Sequence, residues 1–174
     1  MPLTSSSGDW NIRKAKADDA EALVDLFNRL GHETDFMLFE PGERNITVEE
    51  EAKRLESWEA ASSGVVFIAS IGREIVGFVV GVGGTANRNR HSLHIAIGIL
   101  QAFCGQGIGA ALMQGLESWA IEHSFHRLEL TVMAHNSRAI ALYKKRGFEE
   151  EGIKHHALLV NGRYVNEFYM AKLV

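Results

Sequence analysis

Three glycines at alternate positions, Gly105, Gly107 and Gly109, separate an alternating apolar stretch from an amphipathic one, in the run Phe103-Cys104-Gly105-Gln106-Gly107-Ile108-Gly109-Ala110. Without Cβ atoms such a run leaves backbone N–H groups uncovered and accepts φ values that other residues resist. A helix starting behind it adds unpaired donors and the positive end of a dipole. Together these make a site for phosphate or pyrophosphate, and so for a phosphate-bearing cofactor. A tight strand-to-helix turn is the plainer alternative. Two other phosphate loops fail on their residues. A Walker A loop needs Lys followed by Ser or Thr after its spacer, and no Lys follows here. A dinucleotide fingerprint needs a third glycine where Leu112 stands.

The chain of 174 residues is long enough for one domain with a substantial core, expected over 10–174 behind a flexible tail over 1–9 that holds Ser5-Ser6-Ser7-Gly8. A net charge of −4 without a Lys/Arg block argues against nucleic acid as its main partner. The single cysteine, Cys104, excludes an internal disulfide and fits a reducing compartment. The opening MPLTSSSGDW has no apolar run, so no secretory leader is expected. No apolar stretch approaches the ~20 residues that span a membrane. A cytoplasmic protein is expected, and a homodimer is compatible with the sequence.

Periodicity places the elements. Residues 10–16 read as a strand. Asp18 with Glu21 reads as the cap of a helix whose stripe is Leu23, Leu26, Phe27 and Leu30, ending at Gly31. Residues 31–46 are irregular, with a Pro41-Gly42 turn. Thr47 and Glu50 form a capping box for a second helix that ends at Gly64. Residues 65–71 and 74–83 read as a hairpin around Gly72-Arg73. From Ser92 to Leu100 the alternation is clean: Leu93, Ile95, Ile97 and Ile99 share one face, His94, Ala96, Gly98 and Leu100 the other. A helix follows the glycines, then a strand over 127–133, a short helix from Asn136 to Gly147, and two strands joined at Asn161-Gly162. This order is α+β, or α/β with a mixed sheet.

The second motif is Asn136-Ser137-Arg138-Ala139-Ile140-Ala141-Leu142-Tyr143-Lys144-Lys145-Arg146-Gly147-Phe148. Asn136 and Tyr143 are two helical turns apart, about 10.5 Å along one face. Taken alone, these residues also suit an N-cap, a half-buried aromatic and a C-cap.

The glycine loop followed by Asn-x-x-Ala-x-x-x-Tyr-x-x-x-Gly-Phe resembles the GNAT superfamily of N-acetyltransferases. The likeness runs over about 10–173 and is specific from 92 to 148. The tail, Asn161-Gly162-Arg163-Tyr164 to Tyr169-Met170, further resembles bacterial L-amino-acid N-acetyltransferases. The resemblance implies a single-domain α/β fold with a mixed, strongly twisted sheet splayed in the middle, flanked by about four helices. It implies that acetyl-CoA lies in the splay as co-substrate. Backbone groups around Ile99 and Leu100 would pair with the pantetheine arm. The loop Cys104, Gly105, Gln106, Gly107, Ile108 and Gly109 would hold the pyrophosphate. Asn136 would contact the arm and Tyr143 the sulfur. The family's loop usually begins with Arg or Gln, where this chain has Cys104, so a cation would come from elsewhere, Lys144 or Lys145 being at hand.

Acetyl transfer to an amine, by direct attack in a ternary complex, needs a neutral amine and a thiolate that can leave. Tyr143 is the candidate acid. A phenol near pKa 10 losing its proton to a thiolate near 8.5 pays about 2 kcal/mol, so a hydrogen bond to the developing charge serves better than full transfer. Glu129 and His94 are candidate bases; each also reads as an ordinary strand residue. The family's usual carboxylate position on Glu129's strand is held by Thr131. Glu33 and Asp35 are candidate substrate residues, because acidic groups draw a cationic amine. The histidine pairs lack the carboxylate or cysteine spacing of a metal site, so no metal is expected. The reading is an acetyl-CoA-dependent N-acetyltransferase for a small amine, amino acids first. The alternatives are polyamine or protein N-terminal α-amine acetylation, or a non-catalytic acyl-CoA-binding module.

Overall fold

The computed structural model describes residues 3–4 and 9–174. Eight strands form one mixed sheet in the order β1-β2-β3-β4-β5-β6-β8-β7. The strands are β1 (Leu3–Thr4), β2 (Trp10–Lys14), β3 (Gly64–Ile71), β4 (Glu74–Gly83), β5 (Ser92–Ile99), β6 (Arg127–Met133), β7 (Glu149–Val160) and β8 (Arg163–Leu173). The helices are α1 (Ala20–Glu33), α2 (Val48–Ala61), α3 (Ile108–Glu122) and α4 (Ser137–Lys145). Within the expected tail, Leu3 and Thr4 pair with Ile12 and Asn11. The Ser5-Ser6-Ser7-Gly8 run lies outside the described residues.

Local chemistry sets the boundaries. The capping box of α2 is present: the Glu50 N–H donates to Thr47 Oγ1 at 3.1 Å, and the Thr47 N–H to Glu50 Oε2 at 2.9 Å. The start of α1 differs from the expected Asp18–Glu21 cap. Residues Ala17–Asp19 form a 3-10 turn, and Asp19 accepts from the Lys16 N–H at 2.8 Å while holding Arg13. Nor does α1 stop at Gly31. A Cβ there would meet nothing closer than 3.7 Å, so no contact forces a break, and the helix runs on to Glu33. The β7–β8 turn has positive φ at both Asn161 (+50°) and Gly162 (+75°), the twist-matched form for a two-residue hairpin loop.

Helices cover both faces. A Cβ on Gly98 of β5 would strike Leu30 of α1, and one on Gly64 of β3 would strike Trp58 of α2. A Cβ on Gly81 would instead strike Leu93 and Leu116, which puts α3 on the opposite face. The fully buried Leu23, Leu26 and Leu30 of α1 and Leu112, Met113 and Leu116 of α3 thus sandwich Ile68, Leu93 and Leu128. Each such side chain contributes roughly 1.5–3 kcal/mol of apolar burial.

The sheet is not continuous. β5 and β6 are parallel and pair only at Ser92↔Arg127, Leu93↔Leu128 and His94↔Glu129. Beyond that point β5 stays paired with β4 as far as Ile99, and β6 stays paired with β8 as far as Met133. The two halves of the sheet diverge between them.

Candidate active site

Hydrogen-bond phase tells which backbone groups face this opening. Ser92 accepts from the Gly84 N–H at 3.1 Å, and Leu100 donates to the Val76 carbonyl at 2.9 Å. Backbone groups alternate sides along a strand, so the even-numbered residues of β5 point to β4 and the odd-numbered ones to β6. Past the paired stretch, Ile97 and Ile99 therefore present N–H and C=O groups to the opening. Arg127 donates to the His91 carbonyl at 3.1 Å, which fixes the opposite phase and puts Thr131 across from them. Of the two residues expected to meet the cofactor arm, Ile99 faces the opening. Leu100 is committed to β4, and its carbonyl also accepts from the Phe103 N–H.

The glycine loop lies at the end of β5. The N–H groups of Gly105 through Ala110 find no acceptor among the described residues, and the first helical bond of α3 runs from Ala111 to Gly107. Gly105 and Gly107 have φ of +78° and +84°, and nothing lies within 4 Å of where a Cβ would stand on either. Gly107 caps α3 without any side-chain hydrogen bond. Uncovered donors thus meet the positive end of a helix dipole. Gly109 is a different case. A Cβ there would lie 3.0 Å from Leu142 Cδ2 and 3.3 Å from Ile99 Cδ1. Its bareness lets the first turn of α3 pack against both β5 and α4. Cys104 folds back onto the strand end, its thiol donating to the carbonyls of Ile99 at 3.7 Å and Leu100 at 3.6 Å. Lys144 and Lys145 are exposed in the last turn of α4.

α4 starts at Asn136, whose Oδ1 accepts from the Ala139 N–H at 3.2 Å. This cap anchors the helix that carries Tyr143. Only 6% of Tyr143 is exposed, and its ring packs at 5.9 Å from Phe148. The hydroxyl has no hydrogen-bond partner among the described residues, yet it is not sealed from solvent as Glu51 Oε2 and Arg54 Nε are. Burial pushes the phenol well above its ordinary value.

A second, open cleft is lined by Thr34, Asp35, Leu38 and Glu40 of the α1–α2 connection, Met133 at the end of β6, and residues 158–161. Two contacts tie its walls together. Asn161 Nδ2 donates to Asp35 Oδ2 at 2.9 Å, and the rings of Phe36 and His135 lie 5.1 Å apart. Sequence reasoning missed Met133, Leu158 and Asn161 as cleft residues. The Asn161-Gly162 turn was legible, but nothing local shows which loop its tip meets.

The candidate bases and acids are placed as follows. His94 and Glu129 pair in the last joined rung of β5 and β6, before the sheet opens. Glu129 is held by Arg127 Nε at 2.7 Å, and the same guanidinium grips Glu151 of β7. Those charges pair with each other outside the opening. Glu33 accepts from the Gln101 N–H at 2.9 Å, fastening the end of α1 to the turn that leads into the glycine loop. Asp35 lines the second cleft, with one carboxylate oxygen on Asn161. Among the described residues no three His, Cys, Asp or Glu side chains gather as metal ligands, and no helix is long and apolar enough to cross a membrane.

Comparison with known proteins matches this geometry. The acetyltransferase (GNAT) family model fits residues 26–148. The L-amino acid N-acetyltransferase AaaT of Escherichia coli is 33% identical over 110 residues, covering 61% of this chain and 66% of that protein. An N-alpha-acetyltransferase of Sulfurisphaera tokodaii is 27% identical over 85% of each chain. The crystal structure of a GNAT-family acetyltransferase from Streptococcus pneumoniae superposes with a TM-score of 0.92 at 29% identity, covering 95% of this chain and 99% of that one. The family match spans the four central strands β3 to β6, the glycine loop and the Asn136–Tyr143 helix, and the chain belongs to the GNAT acetyltransferase family.

Proposed function

We propose that this acetyl-CoA-dependent N-acetyltransferase acts on the α-amine of free amino acids, by direct attack within a ternary complex. The observation that carries the reading is the opening between β5 and β6. Its β5 edge is unpaired, its mouth is rimmed by the N–H groups of Gly105 to Ala110, and a second cleft adjoins Met133 at its far side. The backbone of Ile97 and Ile99 suits the amide-bearing arm of acetyl-CoA, and the N–H groups of the loop suit its pyrophosphate. The loop needs no side-chain cation for this, so Cys104 is compatible with the role. The Nδ2 of Asn136 is free to meet the arm while Oδ1 caps α4.

Tyr143 acts on the leaving sulfur. Its phenol is protonated at neutral pH, and burial makes it a weaker acid still. Full transfer to a thiolate is therefore unfavourable, and the hydroxyl serves as a donor to charge that develops as the C–S bond breaks. The amine is deprotonated by solvent before attack. The α-amine at a chain's N-terminus, near pKa 7.7–8.0, is roughly a tenth neutral at pH 7; that of a free amino acid, beside its own carboxylate, is more basic, yet still less so than a lysine-type amine near 10.4, which is about 0.04% neutral. With Glu129 bound to Arg127 and Thr131 at the family's carboxylate position, an α-amine has the advantage over a lysine-type amine. The cleft adds acidic groups, Asp35 and Glu40, beside apolar walls from Leu38, Met133 and Leu158. The tail's likeness to amino-acid acetyltransferases points the same way.

A second reading, acetylation of protein N-terminal α-amines, is favoured by the archaeal relative that matches 85% of the chain. An acceptor screen monitoring CoA release separates them. Free amino acids should be acetylated with kcat/KM rising with pH as their α-amine deprotonates, and levelling off at a lower pH than a lysine-type amine does. Preference for an N-terminal peptide promotes the second reading. Preference for spermidine over both refutes both.

A further inference from the structure

β7 does not follow β8 evenly. Lys154 pairs with Glu167 and Leu158 with Val165, so His155, His156 and Ala157 bulge opposite Asn166. His156 holds φ at +49°, a left-handed conformation that costs a non-glycine residue energy. Asn166 braces it: the His156 N–H donates to Asn166 Oδ1 at 2.9 Å. The His156 ring also stacks on Tyr164 at 5.1 Å. The backbone of the same Asn166 reaches the other way, its carbonyl accepting from the Ala134 N–H at 2.9 Å, two residues before Asn136. Past the bulge, Leu158, Leu159 and Val160 wall the acceptor-side cleft. A bulge resets which residues of a strand face a given side, so the cleft wall depends on this one being kept.

We propose that Asn166 is a positioning residue for the acceptor amine: its side-chain oxygen locks the β7 bulge and thereby sets Leu158 to Val160 against the cleft. This rests on the acetyl-transfer reading of the cleft, though not on amino acids as its substrates. Substitution with alanine removes the brace on β7 but leaves the backbone bond to Ala134, so the helix carrying Tyr143 stays in place.

The test compares Asn166→Ala with Asn166→Asp, which keeps an oxygen at the accepting position. The amine is whichever the wild type acetylates best among the proteinogenic L-amino acids, spermidine and an alanine-initiated peptide. Asn166→Ala should raise the amine KM about tenfold while kcat and acetyl-CoA affinity stay within roughly twofold, and Asn166→Asp should restore most of that loss. Amide exchange should quicken over 156–160 in the alanine variant and stay unchanged over 105–110. An unchanged amine KM overturns the proposal, as does an equal loss of acetyl-CoA affinity, or an aspartate variant no better than alanine. If the wild type acetylates none of the panel, the transfer reading fails by itself, and slow exchange at His156 in the alanine variant still overturns the brace.

Discussion

Tyr143 is a packing residue with a second role, on the leaving sulfur, in the proposed reaction. Its ring belongs to the core beside Phe148, and its hydroxyl has no hydrogen-bond partner among the described residues. Tyr143→Phe should therefore keep the fold and acetyl-CoA affinity while lowering kcat by about 10²-fold or more, measured with chemistry rate-limiting. The pKa has a sign that can be checked. Folding raises it, so the stability it confers is whole below about pH 10, where the unfolded phenol begins to ionise, and is lost as pH climbs from there through the folded value. Urea unfolding at pH 9 and 11 should show that alkaline loss in the wild type and a smaller one in Tyr143→Phe. The loop glycines separate in the same manner. Gly107→Ala meets open space but a φ of +84°, so it should cost about 1–2 kcal/mol of loop strain and weaken acetyl-CoA moderately. Gly109→Val meets Leu142 and Ile99 and should displace α3 from α4, weakening acetyl-CoA by more than the alanine variant does, as titration calorimetry would show. The sequence marked both glycines for one reason, exposure of backbone to phosphate. The structure shows uncovered backbone at Gly105 and Gly107, and close packing at Gly109.

Among elements, α3, α4 and β8 meet at one carboxylate. Glu117, 8% exposed, accepts from Arg146 at 2.6 Å and from Lys172 at 3.0 Å. Glu117→Gln leaves two partly buried cations with a weaker acceptor and should cost about 2–3 kcal/mol, lowering Tm by roughly 5–10 °C. A Tm within a degree of wild type would mean that solvent already screens the pair. Such clusters explain what the sequence could and could not reveal. Element identity came from periodicity and punctuation within a few residues: the alternation of 93–99, the Thr47–Glu50 box, the Asn161-Gly162 turn. Partnerships came from distance along the chain. Glu129 stood as a candidate base or an ordinary strand residue, because nothing near it announces that Arg127 is shared with Glu151 of β7. Glu33 stood as a lure for amines, because the Gln101 N–H it caps is 68 residues away. The bulge at His156 was illegible for a related reason: no glycine marks it, and the brace sits on the opposing strand.

For the whole molecule, the decisive fact is how little joins the two parts of the sheet. The expected splay came from a family likeness and not from any residue pattern, and the register of β5 against β6 bears it out. Acetyl-CoA that occupies the opening contacts both parts, so it should stabilise the folded chain by mass action. At a hundred times its Kd the gain is about 2.7 kcal/mol, or roughly 5–10 °C in Tm for a chain of this size. Differential scanning calorimetry with rising acetyl-CoA tests this, and a Tm independent of concentration would count against binding to the folded state.

The short β5–β6 pairing also has a mechanical meaning. The sheet works as a pair of tongs, pivoted at Ser92–His94 and gaping towards Ile99 and Met133. Tongs change their grip by flexing at the pivot. With acetyl-CoA in the gap as proposed, its entry and the departure of CoA break no strand-to-strand bond of the protein, and the core on either side stays intact.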